Sequence, residues 1–214
     1  MKKKETFIKG VMALLFSQII IKIVGLVYKL YLTNKEGFGD AGNAIYSSGF
    51  QIYALLLAFS STGVQNAIAK LVSERLAVGD TKGAHIIFKI AFITFAIIGI
   101  TGTMLLFTYA KPISEKALQI PEAKYSLMCL APSIFFVSVS SVLKGYFNGR
   151  QSLTATAKSQ SIEQIFKTVL TIILVEIISK ITLKSTKLMA ATANLATTIA
   201  TIISFIYLLR ILSK

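Results

Sequence analysis

The sequence predicts an all-α, polytopic integral membrane protein, a six-helix bundle, on three observations. Hydrophobic residues make up 54% of the 214 residues, whereas charged residues make up only 15%. The mean hydropathy of +0.70 lies outside the range of ordinary soluble domains. Apolar runs recur six times, each near the roughly 20 residues that a helix needs to cross a hydrocarbon core. We therefore expect a multi-pass protein of the cell membrane that has the lipid bilayer as a partner.

The six predicted helices form a single transmembrane lobe over residues 1–214. The breaks between them are rich in glycine, proline or charged residues, which end helices, and none is long enough to fold as a domain. In chain order, the predicted spans cover about residues 7–32, 45–71, 86–109, 125–143, 155–178 and 188–212.

Basic residues between the apolar runs predict the orientation of the bundle. With the amino terminus inside, 13 lysines and arginines fall on the cytoplasmic side and 7 outside, and Lys22, Lys29 and Lys167 fall within spans. Because cytoplasmic loops carry an excess of basic residues, both termini are predicted to be cytoplasmic. This pattern also accounts for the net charge of +14, so we expect no nucleic-acid partner.

Residue types that support catalysis or metal binding are scarce. Cys129 is the only cysteine and His85 the only histidine, which leaves neither a disulfide framework nor a thiolate or histidine metal site. No spaced carboxylate pair for acid–base chemistry stands in any loop. We therefore expect no metal, no cofactor and no enzymatic activity.

The first helix carries a polar stripe in an otherwise apolar sequence. Gln18, Lys22, Gly25 and Lys29 follow the steps i, i+4, i+7 and i+11, which place them on one helix face. A lysine at bilayer depth costs about 2.5–3.5 kcal/mol on insertion scales. The stripe is therefore predicted to face a polar cavity and to bind substrate through Gln18, Lys22 and Lys29. The alternative is that each lysine snorkels to the nearer interface.

The fifth predicted helix repeats this spacing with Thr156, Gln160, Glu163 and Lys167. Gln160, Glu163 and Lys167 are predicted to line the same cavity. Glu163 stands four residues before Lys167, the favourable orientation for an intrahelical ion pair. In one interpretation these two charges only neutralise each other. In the other, Glu163 also pairs with Lys22 and releases it when an anion arrives.

Asn66 belongs to a polar cluster, residues 60–66, inside the second predicted helix. Small and amide side chains commonly serve close packing and hydrogen bonds between membrane helices. Contact with a transported solute is the functional alternative for Asn66.

Several motifs of this chain resemble those of one transporter family. They are Lys22–Gly25, Ser61–Lys70, Ala131–Phe136, Leu143–Gly149 and Ser159–Gln164, together with Tyr46 and Tyr53. On these residues the chain resembles the polysaccharide exporters related to stage V sporulation protein B, in the multidrug/oligosaccharidyl-lipid/polysaccharide (MOP) flippase superfamily. It departs from the family pattern at Gln65, where proline is usual, and at Lys144, where arginine is usual. Ala54–Phe59 also lacks the additional basic residue of the lipid II flippase branch.

The resemblance implies two six-helix lobes around a central cavity, in the bacterial cytoplasmic membrane. It also implies that a lipid-linked sugar moves from the cytoplasmic to the outer leaflet by alternating access. Because the family is about twice this length, the chain corresponds to the amino-terminal lobe. It is expected to be a fragment, or to pair with a second six-helix lobe or a homodimer partner.

The expected function is transport of a lipid-linked oligosaccharide or polysaccharide precursor, with an anionic sugar diphosphate as the ligand. Lys144 and Arg150 lie in a predicted inner loop without acidic residues, where basic residues ordinarily fix topology. As a hypothesis, they also attract the diphosphate to the cytoplasmic mouth.

Two alternatives remain open. A MATE-like drug or cation antiporter lobe would be marked by an acidic cavity, and a truncated membrane interaction protein would not transport at all. The first and fifth spans carry three lysines against Glu163 and Glu176, which favours an anionic solute.

Overall fold

The computed structural model describes residues 7–60 and 62–213, and these ranges contain helices but no β-strand. The all-α class is therefore confirmed. A π-helical turn, Ile113–Ala117, follows the fourth α-helix. The seven α-helices are α1 (Phe7–Asn34), α2 (Gly39–Ser60), α3 (Thr62–Ala77), α4 (Thr81–Pro112), α5 (Ala123–Gly149), α6 (Leu153–Ile181) and α7 (Thr186–Leu212).

The helix boundaries differ from the predicted ones, and most at the second, third and fourth predicted spans. The segment predicted as one span over 45–71 falls in α2 and α3, on either side of residue 61, which lies outside the described residues. α4 begins at Thr81, because the side chain of Asp80 caps it by accepting a hydrogen bond from Gly83 N at 2.7 Å. α5 continues to Gly149, so the loop that follows it is only three residues long.

Exposed apolar faces identify the membrane-embedded part of the bundle. Among the described residues, four helical segments are long and apolar enough to cross a membrane: Ile8–Asn34, Thr81–Ala117, Ala123–Gly149 and Thr186–Leu212. In the most apolar windows of the first two, only 11% of the residues are buried inside the bundle. Soluble proteins rarely expose such continuous apolar surface, whereas lipid accommodates it. The protein is therefore a multi-pass membrane protein.

α5 is the central helix of the bundle. It packs against α2, α3, α4 and α7, while α7 also packs against α6, and α6 against α1. Two glycines of α5 allow its backbone to approach α3 closely. A Cβ atom at Gly145 would lie 2.8 Å from Gln65 O, and one at Gly149 would lie 2.7 Å from Val72 Cβ. Small residues at this spacing allow close contact of membrane helices.

The loop between α1 and α2 is tied to the α6–α7 loop at one end of the bundle. Lys184 Nζ lies 2.6 Å from Glu36 Oε1, and Thr186 Oγ1 donates a hydrogen bond to Gly37 O at 2.8 Å. Lys35 pairs with Glu176 of α6, whose carboxylate also accepts a hydrogen bond from Tyr31 Oη at 3.0 Å. These contacts hold the carboxyl-terminal end of α1 beside that of α6.

Candidate functional site

α1 and α6 run parallel and bring the two predicted polar stripes side by side. Near their amino-terminal ends, Ser17 Oγ donates to Ala157 O at 2.9 Å and lies 2.9 Å from Ser161 Oγ. Further along, Gly25 leaves room for the side chain of Gln164, whose Nε2 would lie 3.5 Å from a Cβ atom there. We call the resulting surface the α1–α6 polar face; it comprises Gln18, Lys22, Lys29, Gln160, Glu163 and Lys167.

Gln18 and Gln160 make a direct contact across this face. Gln18 Nε2 donates to Gln160 Oε1 at 3.1 Å, and the pair is accessible from outside the bundle. Each amide keeps further donor and acceptor capacity. The two residues, predicted from separate stripes, therefore form one accessible hydrogen-bonding group.

Lys22 and Lys29 are exposed on the same side of α1. Within residues 7–60 and 62–213, no carboxylate oxygen lies within 4.0 Å of either ammonium group. Glu163 therefore does not compensate Lys22 in this conformation. Two cations on a membrane helix are left available to an external anion.

Glu163 pairs with a residue of α5 rather than with the expected partners. Its Oε2 lies 3.6 Å from Lys144 Nζ, and the two side chains are only 29% and 12% exposed. The expected intrahelical pair with Lys167 is absent, and so is the pair with Lys22. The physical reason is that Lys144 is shielded inside the bundle and needs a counterion there, whereas Lys22 reaches solvent.

This contact also corrects the placement of Lys144. It was predicted in an inner loop at the cytoplasmic mouth, but it lies within α5, which runs to Gly149. Arg150, the other predicted mouth residue, follows directly after α5 and is exposed. Its Nη1 donates to Tyr146 Oη at 3.4 Å, and its guanidinium lies 5.4 Å from the centre of the Tyr146 ring.

Lys167 is held by aromatic rings instead of by a carboxylate. Its Nζ lies 4.4 Å from the ring centre of Phe50 in α2 and 5.3 Å from that of Tyr28 in α1. The ring faces are electron-rich and attract an ammonium group, more strongly where water is excluded. Tyr46 links the two rings, edge-to-face with Tyr28 and stacked on Phe50.

Asn66 lies away from this arrangement. It is exposed on α3, which packs against α4 and α5. The structure therefore does not bring Asn66 to the α1–α6 polar face.

Ser17, Tyr28 and Phe50, which contact α1 or α6 beside this face, were not among the predicted site residues. A signal for Phe50 was present, because Tyr46, Phe50 and Tyr53 recur at i, i+4 and i+7 and so mark one aromatic side of α2. Tyr28 directly precedes Lys29 and is 7% exposed, but its approach to Lys167 depends on the packing of three helices. No group of three or more potential metal ligands occurs among the residues that the structure describes.

Comparisons with known proteins identify a family and several relatives of this chain. A family model described as polysaccharide biosynthesis protein matches residues 7–214. Stage V sporulation protein B of Bacillus subtilis (strain 168) is 28% identical over 164 residues, which cover 77% of this chain and 31% of that protein. Lipid II flippase MurJ of the same organism is 25% identical over 168 residues, with 75% and 30% covered. The match thus spans about a third of the length of these curated relatives.

Solved structures show the same fold. A MATE protein in complex with MaD3S superposes with a TM-score of 0.82 at 14% identity, covering 96% of this chain and 45% of that chain. A MOP superfamily transporter from Pyrococcus furiosus superposes with a TM-score of 0.78 at 16% identity, covering 98% and 45%. The chain therefore has the fold of slightly less than half of a MATE-like transporter.

Proposed function

The chain belongs to the polysaccharide biosynthesis protein family, and from this premise we propose that it is the amino-terminal lobe of an exporter for a lipid-linked oligosaccharide or polysaccharide precursor. Its two-lobe assembly moves the precursor across the bacterial cytoplasmic membrane by alternating access. The lobe crosses the membrane six times, with α2 and α3 together forming one crossing and both termini in the cytoplasm. A second six-helix lobe or a second copy of the chain supplies the facing wall.

The observation that carries this proposal is the positive charge of the α1–α6 polar face. Its only carboxylate, Glu163, is already paired with Lys144 at 3.6 Å. Lys22 and Lys29 have no carboxylate within 4.0 Å in the described chain, and Lys167 rests on aromatic rings. The diphosphate of a polyprenyl-linked sugar supplies the missing negative charge, and charge-assisted contacts to phosphate oxygens are about twice as strong as neutral hydrogen bonds.

The remaining groups of the face suit the sugar and the transport cycle. The Gln18–Gln160 pair offers amide donors and acceptors for sugar hydroxyl groups. Lys167 leaves the rings of Tyr28 and Phe50 when the diphosphate enters, because two or more anionic oxygens attract an ammonium group more strongly than a ring face does. Arg150, exposed after α5, attracts the diphosphate to the cytoplasmic mouth.

A binding experiment on the full chain in detergent micelles tests the proposal. We expect polyprenyl diphosphate to bind, and polyprenol, which has the same tail without the charge, to bind much more weakly. Replacing Lys22 with alanine removes a charged contact worth about 1.5–3 kcal/mol, which corresponds to a loss of about 10- to 150-fold in affinity. Lys22→Arg keeps the charge and should keep most of the binding. Lys89→Ala, which removes an exposed lysine from α4, is the matched control.

The same experiment separates the competing functions. Binding of an organic cation such as tetraphenylphosphonium, without binding of the diphosphate, would identify a lobe of a drug or cation antiporter. If neither compound binds above the polyprenol level, the chain does not carry a transport site. Normal diphosphate binding by Lys22→Ala would show that Lys22 is structural and that the cavity assignment is wrong.

A further inference from the structure

A pair of grooves lies on the flank of α1 opposite the polar face. One groove of about 460 Å³ opens between α1, α6 and α7, and another of about 370 Å³ lies between α6 and α7. They adjoin, because Ile162 and Tyr207 line both. Their walls are mainly apolar and include Ala13, Phe16, Ile20, Ile165, Phe166 and Ile203.

The grooves do not face the same way as the proposed transport site. Successive residues of an α-helix are rotated by about 100°, so Phe16 and Ile20 stand about 200° from Gln18 and Lys22. A second lobe placed against the polar face therefore leaves these grooves open to the bilayer. Their contents must then be a lipid or a lipid-like molecule.

Three cations surround one end of the grooves. Lys158 lines the first groove and Arg210 lines the second, and Lys9 stands one helical turn before Ala13 on the same face of α1. All three lie at one end of the bundle, where α1 and α6 begin and α7 ends; Ser204 Oγ donates to Ser159 O there at 3.0 Å. In the described ranges none of the three has a carboxylate within 4.0 Å.

We propose that the two grooves hold a phospholipid with two acyl chains and an anionic headgroup. One chain lies in each groove, and the headgroup phosphate lies among Lys158, Arg210 and Lys9. Basic residues between membrane helices attract anionic headgroups, and the paired grooves match two chains better than the single chain of a polyprenyl lipid. This site is separate from transport, and under the proposed topology its lipid belongs to the cytoplasmic leaflet.

The test uses the full chain reconstituted in phosphatidylcholine vesicles that contain spin-labelled lipid. Electron spin resonance measures how much phosphatidylglycerol is immobilised by the protein relative to labelled phosphatidylcholine. We expect a clear preference for phosphatidylglycerol. The double variant Lys158→Gln/Arg210→Gln should reduce this preference by about fivefold for each charge removed. The double variant Lys158→Arg/Arg210→Lys keeps both charges and should keep the preference. Ala13→Phe, which fills the first groove without changing the charge, should also reduce it.

Lys89→Gln is the matched control, since it removes one exposed positive charge from α4, a helix that does not line either groove. An equal loss of preference in this variant, or an unchanged preference in Ala13→Phe, would show general surface attraction and overturn the proposal. Displacement of the immobilised phosphatidylglycerol by polyprenyl diphosphate would assign the grooves to the transported lipid and overturn it as well. None of these outcomes bears on the Lys22 binding test, so the two proposals fail separately.

Discussion

Lys144 and Glu163 form the most shielded ion pair in the described part of the chain, with side chains 12% and 29% exposed. A shielded pair contributes little net stability, because desolvation offsets the attraction, but the loss of one partner leaves an uncompensated charge. The pair joins α5 to α6, two helices that otherwise contact each other little. It therefore adds a polar contact between α6 and the central helix, whereas α6 packs mainly against α7 and α1.

Substitution of only one member of this pair should destabilise the protein. We expect Glu163→Gln to cost about 2 kcal/mol, below the roughly 3–5 kcal/mol for a fully buried pair, because Glu163 is partly exposed. The double variant Lys144→Met/Glu163→Leu removes both charges and should recover most of the loss. Thermal unfolding in detergent measures both effects. Glu115→Gln breaks the exposed pair with Lys111 and should change the thermal stability little. A loss of stability as large as that of Glu163→Gln would show that shielding does not distinguish the Lys144–Glu163 pair.

At the scale of the elements, the contact of α5 with α3 depends on two glycines. Gly149→Val would place new atoms within 2.7–2.8 Å of Val72 and of the Ala69 carbonyl oxygen. Overpacking of this kind costs about 1–3 kcal/mol, so we expect a lower unfolding temperature. Gly63→Ala is the control, since a Cβ atom at Gly63 meets nothing within 4 Å and alanine is the better helix former. Equal destabilisation by both substitutions would show that the α3–α5 contact is not close-packed.

The ion pair between Glu36 in the α1–α2 loop and Lys184 in the α6–α7 loop should depend on pH. The nearby Lys184 ammonium lowers the pKa of Glu36 below its usual 4.5 by hydrogen bonding and by charge attraction. Because the pKa is lowered in the folded state, the contact contributes stability above the unfolded pKa and loses it as the pH falls through the folded pKa. In Lys184→Gln, an NMR titration of the Glu36 carboxyl group should show a higher midpoint. Lys187→Gln removes a nearby charge without this contact, so an equal rise there would refute the pairing.

At the scale of the whole molecule, the chain has the fold of one lobe, covering 96% of its own length but 45% of a MATE protein. Under the proposed function, this lobe provides one wall of a cavity, and the α1–α6 polar face is that wall. The lysines on it are stabilised by water in an open cleft or by an anion, since exposure of the same charges to lipid is costly. The proposed transport therefore requires a second lobe, or a second copy of the chain, that faces this surface.

The proposed topology can be tested by cysteine labelling in intact cells. In a Cys129→Ala background, single cysteines at Lys116 and Lys187 should react with a membrane-impermeant maleimide added from outside. A cysteine at Lys82 should react only after the membrane is permeabilised. Labelling of the cysteine at position 82 from outside, or no labelling of the cysteines at positions 116 and 187, would contradict the six-span arrangement with cytoplasmic termini.

Local properties of the sequence were enough to predict the all-α class and the membrane location, and the resemblance of several motifs to a known family predicted the family; all three are confirmed. Apolar runs set where helices can lie in a bilayer, and the period of 3.6 residues sets which residues share a face. For the same reason the sequence could place Gln18 and Lys22 on one stripe, and Gln160 and Glu163 on another. These are statements about one helix at a time.

Contacts between the helices were decided only by the tertiary structure. The sequence suggested Lys167 or Lys22 as the partner of Glu163, because spacing within a helix and similarity between stripes were all it offered. The partner is Lys144 on α5, and Lys167 lies instead over Phe50 and Tyr28 from two other helices. Such contacts depend on the rotation and depth of each helix in the bundle. The rotation and depth of a helix are set jointly by close contacts at glycines, ion pairs between loops and shielded charges. Because these groups lie far apart in the sequence, no local sequence pattern predicts their contacts.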